Sequence, residues 1–244
     1  MVVDAIKIDS LTKKYKDVTA VCNLNLTVKK GELLSLLGVN GAGKTTTIKM
    51  LSCLTPATSG DAYLNGYSIS KDTAKVKSII AVSPQQTAVA GGLSVRENLE
   101  LMCGVYGLSK QDRGSKIAEL STLLGLDSVM NKKVAKLSGG WQRRLSIAMA
   151  LIGDPQILFL DEPTLGIDVI ARSELWDIIR TLKKNVTIIL TTHYMEEAEE
   201  LSDRIAIMKD GKLLVCDTAE NIKKISCTDN FEKAFINIVK GESQ

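Results

Sequence analysis

Gly38-Val39-Asn40-Gly41-Ala42-Gly43-Lys44-Thr45 sets two glycines either side of four residues and follows them with Lys and Thr, the spacing of a phosphate-binding loop. The apolar run Leu33, Leu34, Leu36, Leu37 precedes it, and Ile48, Met50 and Leu51 follow at helical spacing, so strand, loop and helix are predicted in that order. Glycines let the backbone curl until successive N–H groups point inward, and the helix start adds partial positive charge. A polyphosphate fits such a concavity. The backbone of Asn40, Gly41, Ala42 and Gly43 is predicted to wrap it, with Lys44 on the β- and γ-phosphates, the Thr45 hydroxyl on Mg²⁺ and Thr46 on the α-phosphate.

With 244 residues, 45% of them hydrophobic, the chain can bury a full core. Its net charge of +3 is divided among short pairs (Lys29/Lys30, Lys132/Lys133, Arg143/Arg144, Lys183/Lys184) predicted to be solvated. No block is basic enough to imply nucleic acid or anionic lipid. Cys22, Cys53, Cys103, Cys216 and Cys227 are odd in number and lack CxxC spacing, so neither a disulfide framework nor a zinc site is indicated; buried free thiols are expected. Met1 to Ser10 has no long apolar core and no run of 18 apolar residues follows. The expectation is a soluble, cytoplasmic chain that meets a membrane only through a partner.

Alternation around Ile6 and Ile8, and again at Leu24, Leu26 and Val28, predicts antiparallel strands. Between them Tyr15, in a chain with 4% aromatic residues, is either a platform for a nucleobase or a ring lying over the sheet edge. Tyr63-Leu64-Asn65-Gly66-Tyr67 reads as a strand entering a turn, and Ile79, Ile80 and Val82 as a strand halted by Pro84. Gln85 then sits in a loop where it would reach Mg²⁺ or an attacking water. Ser94-Val95-Arg96-Glu97 is a capping box, and apolar spacing predicts three helices, through Leu99, Leu120 and Leu145, with no strand between Gly91 and Gly153. At the start of the third helix, Ser138 is a candidate N-cap, and Gly139 and Gly140 leave the first N–H groups uncovered. That is a second anion site or an ordinary capped turn.

Ile157-Leu158-Phe159-Leu160 is a continuous apolar run of the kind buried in parallel sheets. It ends in Asp161 and Glu162, at the carboxyl end of a strand where open α/β sheets bind ligands. Asp161 is predicted to hold Mg²⁺ through water and Glu162 to activate the attacking water. Asp168 is predicted to cap a helix bearing Trp176 and Ile179. A further strand runs into His193, the only histidine, which would hydrogen-bond the γ-phosphate. Glu196, Glu197, Glu199 and Glu200 suit the positive end of the next helix and are read as solvated. Asp210-Gly211 is predicted as a hairpin turn, and two short helices close the chain.

Taken together, these residues resemble the nucleotide-binding subunits of ATP-binding cassette transporters over nearly the whole chain. Gly38 to Thr45 looks like Walker A, Gln85 like the Q-loop, Leu137-Ser138-Gly139-Gly140 like the signature, and Ile157 to Asp161 like Walker B with Glu162 as catalytic glutamate. Leu165-Gly166-Ile167-Asp168 looks like the D-loop, His193 like the switch histidine and Tyr15 like the adenine-stacking aromatic. The resemblance implies an α/β fold: a P-loop NTPase core with an N-terminal antiparallel β-subdomain (1–86 and 153–216), an inserted α-helical subdomain (87–152) and C-terminal helices (217–244). It implies ATP and Mg²⁺, with Glu162, His193 and Gln85 in catalysis and Thr45, Gln85 and Asp161 at the metal. Nucleotide contacts are implied for Tyr15, for 40–46, and for Ser138, Gly139, Gly140 and Asp168.

In such subunits two copies, or a copy and a paralogous ATPase subunit, pair head to tail around ATP. A separate transmembrane permease then holds them at the inner face of the cell membrane. The segments 191–198 and 231–239 resemble the exporter branch. Trp141 stands where the family most often has Gln, and is expected to pack at the subunit interface or against the membrane partner. A soluble cassette ATPase acting on DNA, ribosomes or cofactor assembly would share these motifs, although no coiled-coil insertion or second cassette is read here and nucleic acid is not expected.

Overall fold

In the computed structural model, which describes residues 4–241, alternating burial builds the first sheet. β1 (Asp4–Tyr15) and β2 (Val18–Lys29) turn Ile6, Ile8, Leu24, Leu26 and Val28 inward and pair antiparallel. β3 (Leu33–Leu37) is buried at every position, as a parallel strand covered on both faces must be. α1 (Lys44–Leu51) follows, and β4 (Ser59–Leu64) and β5 (Tyr67–Ser68) return to complete the sheet in the order β2-β1-β4-β5.

α2 (Thr73–Ile79) corrects the sequence reading: Ile79 ends this helix, and the strand β6 (Ile80–Ser83) begins one residue later. A helix of 7 residues in which only Val76 is buried offers no apolar stripe to detect. α3 (Val95–Val105) opens on the Ser94/Glu97 capping box, α4 (Lys110–Leu123) is capped by Ser109, and α5 (Gly139–Leu151) follows two 3₁₀ turns. β7 (Ile157–Asp161), α6 (Val169–Leu182) and β8 (Thr187–Thr192) come next. α7 (Met195–Leu201), β9 (Arg204–Lys209), β10 (Lys212–Asp217), α8 (Ala219–Ile225) and α9 (Phe231–Lys240) complete the chain. The helices of 95–151 have no separate core. Val95, Leu99, Leu120 and Leu145 share one apolar cluster with Leu158 and Leu160 of β7 and Ile188 and Leu190 of β8.

The second sheet runs β10-β9-β3-β8-β7-β6, with β10 antiparallel and the others parallel. Its carboxyl edge therefore gathers the loop after β3 and the ends of β7 and β8, where Asp161 and Thr191 are in register. The Asp210–Gly211 turn has positive φ at both residues, 49° and 75°, as a two-residue hairpin of this twist requires. The turn is also a clamp: Gly211 N–H donates to the Ala42 carbonyl at 3.2 Å and the Cys22 N–H to the Gly211 carbonyl at 2.8 Å. The glycine loop is thereby tied to both sheets.

Two surface expectations fail. Arg143 and Arg144 are buried, not solvated; Arg144 pairs with Glu174 and lies 4.9 Å over the Trp141 ring. Long aliphatic stems let such heads reach partners from inside a core. Trp141 accordingly packs, half-buried, against its own helices. Of the five thiols, all free, only Cys103 is buried, and Cys227 is exposed.

Candidate active site

Gly43 shows why the loop needs its glycines. Its φ is +101°, and a Cβ there would lie 2.5 Å from the Ala20 carbonyl oxygen. One residue on, the buried Lys44 donates from Nζ to the Gly38 carbonyl at 2.6 Å and stands 3.8 Å from Glu162 Oε1. Burial lowers its pKa, while Glu162 and Asp161 oppose that shift. Thr45 Oγ1 donates to Asp161 Oδ1 at 3.1 Å, and Thr191 Oγ1 donates to the same oxygen at 2.5 Å.

Glu162 leaves β7 in a left-handed backbone conformation, φ +48°, which costs a non-glycine residue about 1–2 kcal/mol. Two bonds hold it there, from its N–H to the Thr191 carbonyl at 3.1 Å and to the Thr191 hydroxyl at 3.0 Å. The side chain is then fixed between Lys44 and His193, whose Nδ1 lies 3.1 Å from Glu162 Oε2. An ionised carboxylate only accepts, so the tautomer that suits this contact carries the proton on Nδ1.

A cavity of about 520 Å³ opens over the loop, lined by Tyr15, by 40–46, by Gln85 and by Glu162. It also takes Val18, Thr19, Ala20 and Asp210, which sequence reasoning missed. A second cavity of equal volume lies at the opposite end of the strands, around Leu123, Pro155 and Val186, so size does not distinguish the two. The chemistry does. Asp161 and His193 back the first cavity through Thr45 and Glu162.

The remaining predicted residues stand apart from it. Asp168 Oδ1 accepts from the Ile170 and Ala171 N–H groups and so caps α6. Ser138 occupies the N-cap position of α5 by backbone conformation, yet its hydroxyl accepts no capping bond, contrary to expectation. Gly140 is pressed on α6, where a Cβ would meet Ala171 Cβ at 3.0 Å. Gly139 lines a different cavity, of about 340 Å³, with Gln85, Gln86 and Arg143. Within one chain, the glycine loop and the glycine start of α5 thus belong to separate cavities.

Residues 21–165 match the family model described as ABC transporter. The chain belongs to the ABC transporter family. It is 42% identical over 226 residues to the phospholipid-transporting ATPase ABCA3 of Homo sapiens, covering 91% of this chain. It is 39% identical over 215 residues to the linearmycin resistance ATP-binding protein LnrL of Bacillus subtilis (strain 168), covering 88% of this chain and 69% of LnrL. The ATP-binding cassette MJ0796, solved as a dimer in a post-hydrolysis state with ADP and Pi, matches with TM-score 0.78 at 29% identity, over 87% of this chain and 98% of that one. The chain spans 13% of the length of the human ABC relative.

In this ABC cassette Tyr15 is 44% exposed at the rim of the first cavity, with the Lys13 ammonium 4.9 Å from its ring centroid. If adenine stacks there, Tyr15→Ala should weaken ATP binding by about 1–3 kcal/mol, and Tyr15→Trp should retain it. Titration with a fluorescent ATP analogue decides the matter, and equal affinity in the alanine variant removes the role.

Glu197, read as solvated, is wholly buried in α7. Trp176 Nε1–H donates to its Oε1 at 3.2 Å, while Oε2 has no partner in hydrogen-bonding geometry. Burial raises its pKa, against opposition from Thr192, Thr164 and Trp176. Unfolded, such a carboxyl titrates near 4.5. Between that value and the raised folded one, the native state keeps a proton that the unfolded chain has lost, so this group's contribution is present below 4.5 and fades as pH rises. Glu197→Gln removes the titration. Its melting temperature relative to wild type should therefore climb as pH rises above 4.5; a flat or falling difference contradicts the assignment.

Proposed function

We propose that this chain is the ATP-hydrolysing subunit of a membrane exporter, and that it works by closing head to tail on a second copy of itself, or on a paralogous subunit, around ATP. One observation carries this reading. Glu162 is held between Lys44 and His193 at the glycine-loop cavity, while Ser138, Gly139 and Gly140 lie outside that cavity. One chain thus supplies half of a site. That MJ0796 was solved as a dimer with ADP and Pi supports a paired state.

In this reading Lys44 and the N–H groups of 40–46 bind the phosphates, Tyr15 carries the base, and Glu162, pinned by His193, takes the proton of the attacking water. Ser138 to Gly140 and Asp168 face the nucleotide held by the partner copy. The Thr45 hydroxyl and Asp161 carboxylate meet at 3.1 Å with Gln85 in the neighbouring cavity wall, an all-oxygen donor set that fits Mg²⁺. Bound there with the phosphates, Mg²⁺ would neutralise the charge that develops on them. A single carboxylate suffices, because Mg²⁺ is usually shared between one or two protein acids and the substrate.

Export is supported by the names of the relatives, one a phospholipid-transporting ATPase and another a linearmycin resistance protein. No helix among the described residues is long and apolar enough to cross a membrane. The permease, in our reading, is a separate subunit that docks on the surface of 87–92 and keeps this chain at the inner, cytoplasmic face. A photo-crosslinking residue at the exposed Ala88 tests this: in cells it should capture a protein with several membrane spans, whereas a soluble protein as the product would replace the exporter with a cassette ATPase serving DNA, ribosomes or cofactor assembly.

A further inference from the structure

Arg143 lies one turn into α5 and is 4% exposed. Its Nη1 donates to the Pro84 carbonyl and its Nη2 to the Gln85 carbonyl, both at 2.6 Å. A guanidinium is a rigid planar fork, so two bonds to consecutive carbonyls fix an orientation as well as a distance. Three residues further along the same helix face, Ser146 Oγ and Ser83 Oγ are 3.1 Å apart and buried. α5 is therefore stitched to 83–85 at two levels.

No ion pair among the described residues includes Arg143; the acids that favour its charge, Asp161 and Glu197, act from beyond contact, while burial disfavours it. Desolvating a cation without a contacting counter-charge is unfavourable. An apolar side chain could fill this space without that cost, but only the fork links the Gln85 loop to α5. These two elements carry the two halves of the proposed mechanism: Gln85 lines the glycine-loop cavity, and α5 starts at Gly139-Gly140 after its N-cap Ser138.

We propose that Arg143 is a positioning residue that splints the Gln85 segment to α5, so that Gln85 and the glycine start facing the second copy move as one body. This rests on the roles given above to Gln85 and to Ser138-Gly139-Gly140. Nucleotide engaging Gln85 is then felt at the partner's site without any contact between Arg143 and ATP.

The test combines hydrogen exchange with a mutant cycle. In Arg143→Met, exchange of the amides at 85–87 should rise clearly above wild type; in Arg143→Lys, which reaches one carbonyl, the rise should be intermediate. kcat should fall about tenfold in Arg143→Met with KM for ATP within about twofold, since the lost interaction does not bind substrate. In a Gln85→Ala background the same substitution should cost less than about twofold more, because both act through one element. Unchanged exchange at 85–87, or losses that multiply fully in the double variant, would overturn the splint. Should Arg143→Met not fold, Arg143→Lys carries the same two readouts. A wild-type chain without ATPase activity would instead defeat the proposed function, while the exchange result would still judge the link.

Discussion

Given ATP and Mg²⁺, Glu162→Gln should elute from a sizing column as a dimer and turn over about 10²–10⁴-fold more slowly than wild type, the usual share of a general base. The amide keeps the shape and can still accept from His193 Nδ1, now 3.1 Å from Oε2. The left-handed backbone that aims the side chain is held by Thr191, which the substitution does not touch. What disappears is the ability to take a proton, so ATP stays bound and the closed pair accumulates. Adding Ser138→Arg should abolish the dimer. Ser138 is exposed in the single chain, so the bulky charge disturbs no core and acts only where a second copy would bring its nucleotide. A Glu162→Gln chain that binds ATP tightly yet stays monomeric at high concentration would refute the shared site for the isolated subunit.

Lys44→Met should produce the complementary failure, with the pair lost because nucleotide is lost. Truncating one partner of a buried, hydrogen-bonded charge pair costs about 2–5 kcal/mol, roughly a 30- to 5,000-fold weaker affinity for ATP. Methionine fills the space of the lysine stem, and removing a cation whose charged form burial disfavours relieves part of the folded state's own strain. The melting temperature without nucleotide should therefore hold, while the stabilisation that ATP gives wild type vanishes. An ATP-induced shift equal to that of wild type would remove Lys44 from the phosphate site.

The chemistry of this chain was legible wherever it is local. Two glycines, a lysine and a threonine at fixed spacing between an apolar strand and an apolar helix state the loop outright, and the carboxylates at the end of Ile157 to Leu160 state the other wall. What escaped reading depends on contacts between distant segments. Glu197 sits in an acidic run that any charge pattern assigns to solvent, and only the fold brings Trp176 over it. Arg143 looks like half of a surface pair until α5 is laid against 84–85. Asp210 was correctly placed in a turn, yet nothing in the turn reveals that it closes over the glycine loop. α2 was missed for a different reason, since one buried side chain makes no period.

The position of β3 between β8 and β9 also sets a clock on how this protein is made. Gly31, just before β3, gives its N–H to the Thr187 hydroxyl, 156 residues further along the chain. At roughly 5–20 residues per second of synthesis, the strand that carries the glycine loop waits on the order of 10–30 s on the ribosome before its neighbours exist. Until then β1 can pair with β2 and β4 without it. The nucleotide loop, encoded ahead of β8 and β9, is completed only after them, so a chain stalled before β8 would emerge unable to capture ATP.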